Sequence, residues 1–414
     1  MEVEFAEGLT VVVGDNGAGK TNLLEAVGYL AQLRSFRAGP TEAMVRMGVD
    51  RAVVRGNAVV GDRLMLFEAE IVPAGRSKML VNKQPLARSR DVRDGVVVSV
   101  FGPDDLVLVK GGPGERRDYL DDVLRALHPR NDALLKDLDR ILRQRNALLK
   151  QSGGRLSKEI GFTLDVWDAK LAEVGELVVL ARSSLVSDLS APVALAYADI
   201  ADRTALVTLS YRGSFRANTF AESLLEGRND DIRRATTLVG PHRDDVELAV
   251  EGRPSRTHAS QGEQRTLALA LRLGAHRLLT ERHGVAPILL LDDVFSELDP
   301  TRSDALIRHL PPGQSILATA GIVPPTAAVE RCIRIERQGG ASRIRPTAGV
   351  TDVIMPVEKP VESVEETALI RVASRESSYT DHGSIVVSDA LAVEISAEVP
   401  VGTESPVVNA VWSR

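Results

Sequence analysis

One segment near the start of the chain constrains the fold more than any other. Residues 14–21, GDNGAGKT, fit the phosphate-binding pattern G-x-x-x-x-G-K-[ST]. At average residue usage the pattern arises by accident in a chain of 414 residues only about once in a hundred cases. An apolar run precedes the loop, and LEAVGYLAQL, with apolar residues at helical spacing, follows it. The segment therefore predicts a strand, a loop and a helix whose backbone N–H groups face phosphates.

Two carboxylates after a second apolar run complete this prediction. The run 287–291 ends at Asp292 and Asp293. We expect Lys20 to bridge the β and γ phosphates of ATP, and Thr21 and Asp292 to hold Mg²⁺. Asp293 stands where many such ATPases have a glutamate that polarises the attacking water, and its shorter side chain predicts slow hydrolysis. The catalytic candidates are Lys20, Asp292 and Asp293, and the nucleotide-binding candidates in the loop are Gly14, Asp15, Asn16, Gly17, Ala18, Gly19, Lys20 and Thr21.

A third segment lies directly before a predicted helix. Residues 259–265, ASQGEQR, resemble the signature loop of the ABC ATPase superfamily, where a helix N-terminus and a serine hydroxyl face a γ-phosphate. In that superfamily the phosphate belongs to the other subunit's ATP, so the resemblance makes Ser260, Gln261 and Gly262 nucleotide-binding candidates. Residues 296–299, SELD, match the D-loop pattern of the same interface. We therefore expect an ATP-dependent isologous homodimer with Ser260, Ser296 and Asp299 at its interface.

Further segments narrow the resemblance. They are GAGKTNLLEA at 17–26, RSFR at 34–37, FGPDDL at 101–106, KG at 110–111 with RR at 116–117, GPHRDD at 240–245 and DDVFSELD at 292–299. Over roughly residues 8–320 they resemble the RecF family of bacterial DNA repair proteins. The resemblance implies a weak ATPase that binds DNA as an ATP-induced dimer at single-strand to double-strand junctions, in recombinational gap repair. It implies RecO, RecR and RecA as partners.

Two parts of the chain depart from the family pattern. The family usually has a further strand with basic residues ahead of residues 3–9, which leads us to expect that this chain starts late. Residues 349–414 match nothing in the family, are rich in Val, Glu, Ser and Pro, and show no sustained period. We interpret them as an acidic, flexible tail.

The fold prediction is an α/β P-loop NTPase of the ABC ATPase-head type, with an antiparallel β layer and an inserted helical hairpin. Short β-rich runs between residues 52 and 100 predict the layer, and leucines three or four apart between 115 and 150 predict one arm of the hairpin, with an interruption at His128 and Pro129. Each arm is about 35 residues, or on the order of 50 Å, long. The predicted boundaries are 1–112, 113–235 and 236–348 for the first ATPase part, the hairpin and the second ATPase part, followed by the tail.

Composition limits the cellular compartment and the kinds of partner that we expect. No basic start with a long apolar stretch is present, and Cys332 is the only cysteine, so we expect a cytoplasmic protein without disulfides and without a membrane partner. The net charge of −6 is uneven, because residues 349–414 hold 11 acidic and 4 basic residues whereas the body holds 46 and 47. Net charge therefore gives no argument for or against nucleic acid, and local patches decide.

Two basic windows are candidates for DNA binding. The first window, positions 140–158, contains no acidic residue and lies at the predicted hairpin tip. A solvated helix tip is the alternative interpretation, and sequence does not rank the two windows. The first window contains Arg140, Arg143, Arg145, Lys150, Arg155 and Lys158, and the second contains Lys78, Lys83, Arg88, Arg90 and Arg93.

Three other functional classes compete with this interpretation. A transporter ATPase would have a histidine after the strand that follows the acidic pair, and 315–321 has none. A chromosome-maintenance ATPase with long coiled arms would need more than the roughly 240 residues between Lys20 and Ser260, so a short-armed clamp fits better. A scaffold that binds ATP without hydrolysis also stays open. His242 has no second ligand at metal spacing, and we interpret it as a structural loop residue.

Overall fold

The structure, a computed structural model, describes residues 2–37, 39, 41–60, 63–73, 77–86, 96–215, 220–321, 323–339, 341–346 and 391–397. Its strands are β1 Glu4–Phe5, β2 Leu9–Val13, β3 Ala52–Val60, β4 Arg63–Ile71, β5 Lys78–Val81, β6 Gln84–Pro85, β7 Val98–Phe101, β8 Val207–Arg212, β9 Asp245–Val250, β10 Arg253–Pro254, β11 Ile288–Asp292, β12 Ser315–Thr319, β13 Val329–Gln338, β14 Ala341–Pro346 and β15 Leu391–Ala397. Its helices are α1 Lys20–Gln32, α2 Val107–Lys110, α3 Pro113–Leu127, α4 Pro129–Gln151, α5 Lys158–Ala201, α6 Phe220–Arg234, α7 Ser255–His258, α8 Gln261–His283 and α9 Pro300–Arg308.

A six-stranded sheet forms the centre, in the order β14-β13-β2-β12-β11-β7. Five of its strands run parallel, and β14 pairs antiparallel with β13. Every residue of β2, β11 and β12 is buried, as expected for a parallel sheet that is covered on both faces. Alternate residues enter two cores: Val11 and Val13 face the core with α8, and Val12 faces the core with α1. Strands from both ATPase parts of the chain therefore form one sheet.

An antiparallel sheet, in the order β1-β15-β3-β4-β5-β6, covers α1. Residues along β3 alternate between buried and half-buried, and Val54, Phe67 and Ile71 pack into the core around α1. The predicted antiparallel layer is therefore present. Its strand β15 lies between β1 and β3, inside the stretch that the sequence predicts as tail. The rest of the predicted tail, 349–390 and 398–414, lies outside the described residues.

The helical hairpin consists of α3 and α4 in one arm and α5 in the other. The predicted interruption is real, since α3 ends before His128, whose Nδ1 accepts a hydrogen bond from Arg130 N at 3.0 Å and so caps α4. Helix α5 has 44 residues, or about 66 Å, which is longer than predicted. A third sheet, β10-β9-β8, pairs residues on either side of the predicted boundary at 235. The small sheet therefore ties the base of the hairpin to the second ATPase part.

Helix α5 is long and apolar enough to cross a membrane by length and composition alone, the one such helix among the described residues. An 18-residue window has a mean hydropathy of 1.4, and a third of that window is buried. The buried stripe of α5 extends from Leu164 to Ile200 and contains Asp168 and Arg182, each of which is ion-paired. Packing of this stripe against the other helices accounts for the apolar composition.

Candidate functional site

The phosphate loop opens α1 without a side-chain cap. Gly17 and Gly19 adopt positive φ angles of 78° and 106°, and no side chain accepts a hydrogen bond at the start of the helix. Lys20 Nζ donates to the carbonyl oxygens of Gly14 and Asp15 at 2.8 and 3.1 Å, which curls its ammonium group back over the loop. The first N–H groups of α1 and a cation are thus directed at one place, where an anion is favoured.

The hairpin β13–β14 forms a wall against the loop. A Cβ atom on Gly14 would lie 2.2 Å from the carbonyl oxygen of Ile335, and one on Gly19 would lie 2.5 Å from Ser342 Oγ. Neither position has room for a side chain, so contact favours glycine at both, and the positive φ of Gly19 favours glycine there as well. The sequence pattern predicts the glycines but not the wall.

Thr21 and Asp292 meet across 271 positions of sequence. Thr21 Oγ1 donates to Asp292 Oδ1 at 2.9 Å, because the parallel strands β2 and β11 end at the same edge of the central sheet, where α1 begins. Burial raises the pKa of Asp292, while the Thr21 hydrogen bond and the charges of Arg37 and Lys20 lower it. A buried carboxylate beside a hydroxyl offers two hard oxygen donors, the ligand type that Mg²⁺ prefers. The residues present therefore fit a magnesium ion.

Asp293 is held by its backbone. Its φ of 48° is left-handed, its N–H donates to Ala318 O at 2.8 Å, and its carbonyl accepts from Ser296 Oγ at 2.8 Å. The turn directs the chain out of β11 so that Asp293 lines the same cleft as Thr21 and Asp292. The structure therefore places the predicted water-orienting carboxylate beside the predicted metal ligands.

Arg37 is a charged neighbour to which the sequence assigns no role. Its guanidinium donates to Asn22 Oδ1 at 3.1 Å and to Glu25 Oε2 at 3.3 Å, on the first turns of α1. Glu25 is buried, so Arg37 compensates its charge and contributes a cation next to Asp292. The signal in the sequence is the segment 34–37, which the RecF-like pattern contains.

A cleft of about 710 Å³ extends from Thr21, Asp292 and Asp293 between α1, β7, α3 and α8. Arg34 bridges it with an ion pair of 2.6 Å to Asp122 on α3. Residues 260–262 do not line this cleft. The cleft therefore reaches the phosphate loop only at Thr21 and does not reach the signature loop of the same chain.

The signature loop is the N-terminus of α8, and its own side chains cap it. Ser260 Oγ accepts from Glu263 N at 3.3 Å, and Glu263 Oε2 accepts from Ser260 N at 2.9 Å. Arg203 pairs with Glu263 at 2.7 Å. A Cβ atom on Gly262 would lie 2.4 Å from the guanidinium of Arg302, which pairs with Asp299 at 2.8 Å. The signature loop and D-loop of one chain are therefore neighbours, and Ser260, Ser296 and Asp299 are all exposed.

Comparison with known proteins identifies the family. The family model described as RecF/RecN/SMC N terminal domain matches residues 1–315. The DNA replication and repair protein RecF of Frankia alni is 42% identical over 341 residues, which cover 78% of this chain and 89% of that protein. RecF of Kineococcus radiotolerans is 39% identical over 371 residues, covering 83% and 95%. The chain belongs to the RecF family.

Solved RecF structures share the fold. The recombination mediator protein RecF-ATP in the RecFOR pathway has a TM-score of 0.75 and 28% identity, with 83% of this chain and 93% of that chain covered. The RecF-ATPrS structure has a TM-score of 0.73 and 29% identity, with the same coverage. The resemblance to RecF in the sequence is thus confirmed, and with it the ABC/SMC type of ATPase fold.

The predicted basic patch of this RecF-family chain needs one correction. Arg145 is wrong as a surface residue, because it is fully buried and donates to Asp168 and Asp231 at 2.6 Å each and to Thr237 at 2.9 Å. The sequence window does not show this, because the carboxylates that pair with Arg145 lie on α5 and α6, outside the window. Two further arginines are exposed but paired, Arg140 with Asp137 and Arg143 with Asp139.

The remaining cations of the tip are exposed. Lys150, Arg155 and Lys158 have no ion-pair partner among the described residues. Ile232 packs on Leu149 and Leu164, which brings the exposed Arg234 at the end of α6 to the same tip. Sequence reasoning missed Arg234 because its neighbours are distant in sequence. In the second window Lys78 pairs with Glu70 at 3.6 Å, and residues 88, 90 and 93 lie outside the described residues.

The segment GPHRDD of the RecF-like pattern joins the base of the hairpin to the ATPase part. Asp245 accepts from Arg116 Nε at 2.7 Å, and Asp244 accepts from Tyr211 Oη at 2.6 Å. His242 Nε2 lies 3.0 Å from Thr237 O, and burial lowers its pKa. The geometry agrees with a structural role for His242.

Proposed function

We propose that the chain is an ATP- and Mg²⁺-dependent DNA-binding protein of recombinational repair, which acts as an ATP-induced dimer at single-strand to double-strand junctions. Its partners are RecO and RecR, and it supports loading of RecA. The names of the solved relatives, recombination mediators in the RecFOR pathway with ATP, support this proposal. Hydrolysis is slow and serves as a switch.

The observation that carries the proposal is the separation of two half-sites. One half consists of Lys20, Thr21 and Asp292, of which Thr21 and Asp292 line the cleft. The other half is the N-terminus of α8, where Ser260 is exposed and Gly262 is half-buried beside Arg302, and neither residue lines that cleft. A twofold pairing of two chains brings each signature loop to the partner's phosphate loop and completes two sites in one isologous interface. Exposure of Ser296 and Asp299 is compatible with such contacts.

In this arrangement ATP is part of the interface. Lys20 and the N–H groups of α1 hold the β and γ phosphates, and Mg²⁺ held by Thr21 and Asp292 would neutralise their charge. Ser260 and the first N–H groups of the partner's α8 meet the γ-phosphate, so that the dimer is stable only while that phosphate is present. Asp293 orients the attacking water. Hydrolysis then reopens the dimer and releases DNA.

The decisive measurement is the mass in solution by light scattering, with and without ATP and gapped DNA. Wild-type protein should shift from monomer to dimer with ATP, whereas Ser260→Arg should stay monomeric and bind ATP as wild type. Ser260→Thr, which keeps the hydroxyl and the cap, is the matched control and should dimerise. A dimer that ignores ATP would overturn the proposal.

A mixing experiment tests whether the halves act between chains. Lys20→Ala and Ser260→Arg chains are each expected to hydrolyse almost no ATP alone. Mixed together, they form one complete site from Lys20 of one chain and Ser260 of the other, so activity should return to at most about half of wild type. No recovery would place both halves in the same chain.

Hydrolysis is tested separately from binding. Asp293→Asn should reduce turnover by about a hundredfold while ATP-induced dimerisation persists. Unchanged turnover would remove Asp293 from the water-orienting role and favour the alternative of a scaffold in which ATP only joins the two chains.

A further inference from the structure

The tip of the helical hairpin carries an apolar cap that no other described residue covers. Leu156, Phe162 and Val166 are 51%, 72% and 54% exposed. Leu156 leans on Gly161, since its Cδ1 lies 3.8 Å from the place of a Cβ there, and Phe162 and Val166 share a face one helical turn apart. Burial of these side chains against a partner would be favourable, because each now contacts water.

The apolar cap lies on a small buried core. Beneath it Leu149, Leu164 and Ile232, at most 3% exposed, form a small core of their own. Ser157 Oγ accepts from Ile160 N at 3.3 Å and caps α5 two positions after Arg155. Phe162 therefore projects from an ordered helix that loses little conformational entropy when its ring contacts a ligand.

Cations surround the cap. Lys150, Arg155 and Lys158 are exposed and have no ion-pair partner in the described parts of the chain, and Arg234 is exposed near Asp230, whose pKa its charge helps to lower. The nearby carboxylates are engaged: Asp165 pairs with Arg228 at 2.7 Å, and Asp230 pairs with Arg233. Glu159, on the first turn of α5, is the exposed exception, and a hydrogen bond from its own backbone holds its pKa low. Positive charge dominates the surface that faces a ligand.

An aromatic ring among free cations fits unpaired nucleotides. Cations attract phosphates, and every base has a face that can stack on an exposed ring. A base pair inside a duplex offers no free face, and a ring enters duplex DNA only by unstacking it at a cost of a few kcal/mol. A helical protein partner would bury the apolar cap but would need acidic side chains spaced to match the cations, whereas a nucleic acid strand carries a negative charge on every phosphate. The combination therefore favours single-stranded DNA.

We propose that the hairpin tip binds single-stranded DNA, with Phe162 stacked on an unpaired base and Lys150, Arg155, Lys158 and Arg234 on the flanking phosphates. The inference rests on the proposed function, that the chain binds DNA, and assigns the tip to the single-stranded side of a junction. Duplex is then held elsewhere on the dimer. Junction preference arises because both parts of the substrate are contacted at once.

Three variants on one helix test the stacking. Phe162→Ala removes the ring, Phe162→Trp keeps a ring, and Leu180→Ala removes a side chain that is 66% exposed on the same face about five turns along α5. Affinity is measured with ATP by fluorescence anisotropy for a single-stranded oligonucleotide, a blunt duplex and a gapped duplex. Phe162→Ala should lower the affinity for single-stranded and gapped DNA about tenfold and leave the affinity for blunt duplex unchanged. The other two variants should bind all three DNAs as wild type does.

Salt dependence and a base probe separate stacking from charge. Lys158→Gln should lower the slope of log affinity against log salt by about one, and Phe162→Ala should leave it unchanged. A 2-aminopurine in the gap should lose fluorescence on binding wild type and less on binding Phe162→Ala. Equal affinity of Phe162→Ala and wild type on single-stranded DNA, or an equal loss on blunt duplex, would overturn the inference. If wild type binds none of the three DNAs with ATP, the proposed function itself fails.

Discussion

The N-termini of α1 and α8 are both predicted to bind phosphate, and the structure builds them differently. Helix α1 follows a left-handed Gly19 and has no side-chain cap, so its N–H groups are open. Helix α8 has a complete capping box, in which Ser260 and Glu263 satisfy each other. A phosphate at α1 meets no competing carboxylate, but a phosphate at α8 has to displace Glu263. The first end is ready to bind ATP alone, and the second becomes useful only when a second chain presents ATP.

The largest effect is expected from a substitution at the N-terminus of α1. Lys20→Ala removes the ammonium group that we expect to bridge the β and γ phosphates, so ATP affinity should fall about a hundredfold or more in titration calorimetry. ATP-induced dimerisation should disappear with it. Lys170→Ala, an exposed lysine on α5, is the control and should bind as wild type. Wild-type affinity in Lys20→Ala would show that the loop does not hold the phosphates.

The next largest effect is expected at Asp292, the predicted metal ligand. Its pH dependence distinguishes the N-terminus of α1 from that of α8. Burial raises the pKa of Asp292, whereas hydrogen bonds from Ser260 lower the pKa of Glu263. As the pH falls, Asp292 therefore takes up a proton before Glu263 does. Mg²⁺-dependent ATP affinity should then decline at a higher pH than the range in which an ordinary aspartate titrates. Asp292→Asn should lose about tenfold in affinity with Mg²⁺ and change little in EDTA.

The same pH series on Asp292→Asn provides the control, because ATP titrates in both proteins but residue 292 titrates only in wild type. The difference between the two curves isolates Asp292. Identical curves for the two proteins would mean that its carboxylate does not hold the metal.

A smaller effect is expected at the N-terminus of α8, where a substitution should strengthen the phosphate contact instead of weakening it. Glu263→Gln keeps the capping geometry but removes the negative charge that a phosphate has to displace at α8. ATP-dependent dimerisation should therefore strengthen by about threefold to fivefold, measured by sedimentation, while ATP affinity of the monomer stays the same. Glu281→Gln, near the other end of α8, is the matched control. Weaker dimerisation in Glu263→Gln would mean that the carboxylate assists the contact.

The smallest expected effect is on stability. Ser260→Ala removes the cap of α8 and should reduce the free energy of unfolding by about 1 kcal/mol in urea titrations without nucleotide. Ser260→Thr should recover most of that loss. A larger loss in Ser260→Ala would indicate that α8 depends on its N-terminus for more than one hydrogen bond.

The sequence predicts the sites that consecutive residues build. The loop 14–21, the helix that begins after Ser260 and the strand that ends at Asp292 are each encoded by a short segment with a glycine, serine or apolar pattern. Apolar runs likewise predict β2, β11 and β12 as buried neighbours. Their meeting at one sheet edge follows from the parallel topology.

Arg145 shows what the sequence does not predict. A window of charge counts it as a surface cation, yet Asp168 and Asp231 enclose it from two other helices. Conversely, Arg234 reaches the tip only because Ile232 packs on Leu149 and Leu164. Whether a cation is free or paired depends on partners that are distant in sequence, so the tertiary structure is needed to decide it.

The order of strands in the central sheet determines when the nucleotide site is made. Strand β12 lies between β2 and β11, so the hydrogen bond from Thr21 to Asp292 requires residues 315–319 to be in place. During synthesis the phosphate loop leaves the ribosome first but has to wait for nearly three hundred residues of chain. A nascent or truncated chain that ends before β12 therefore has the motif without the site, and ability to bind nucleotide reports that the ATPase part has been completed.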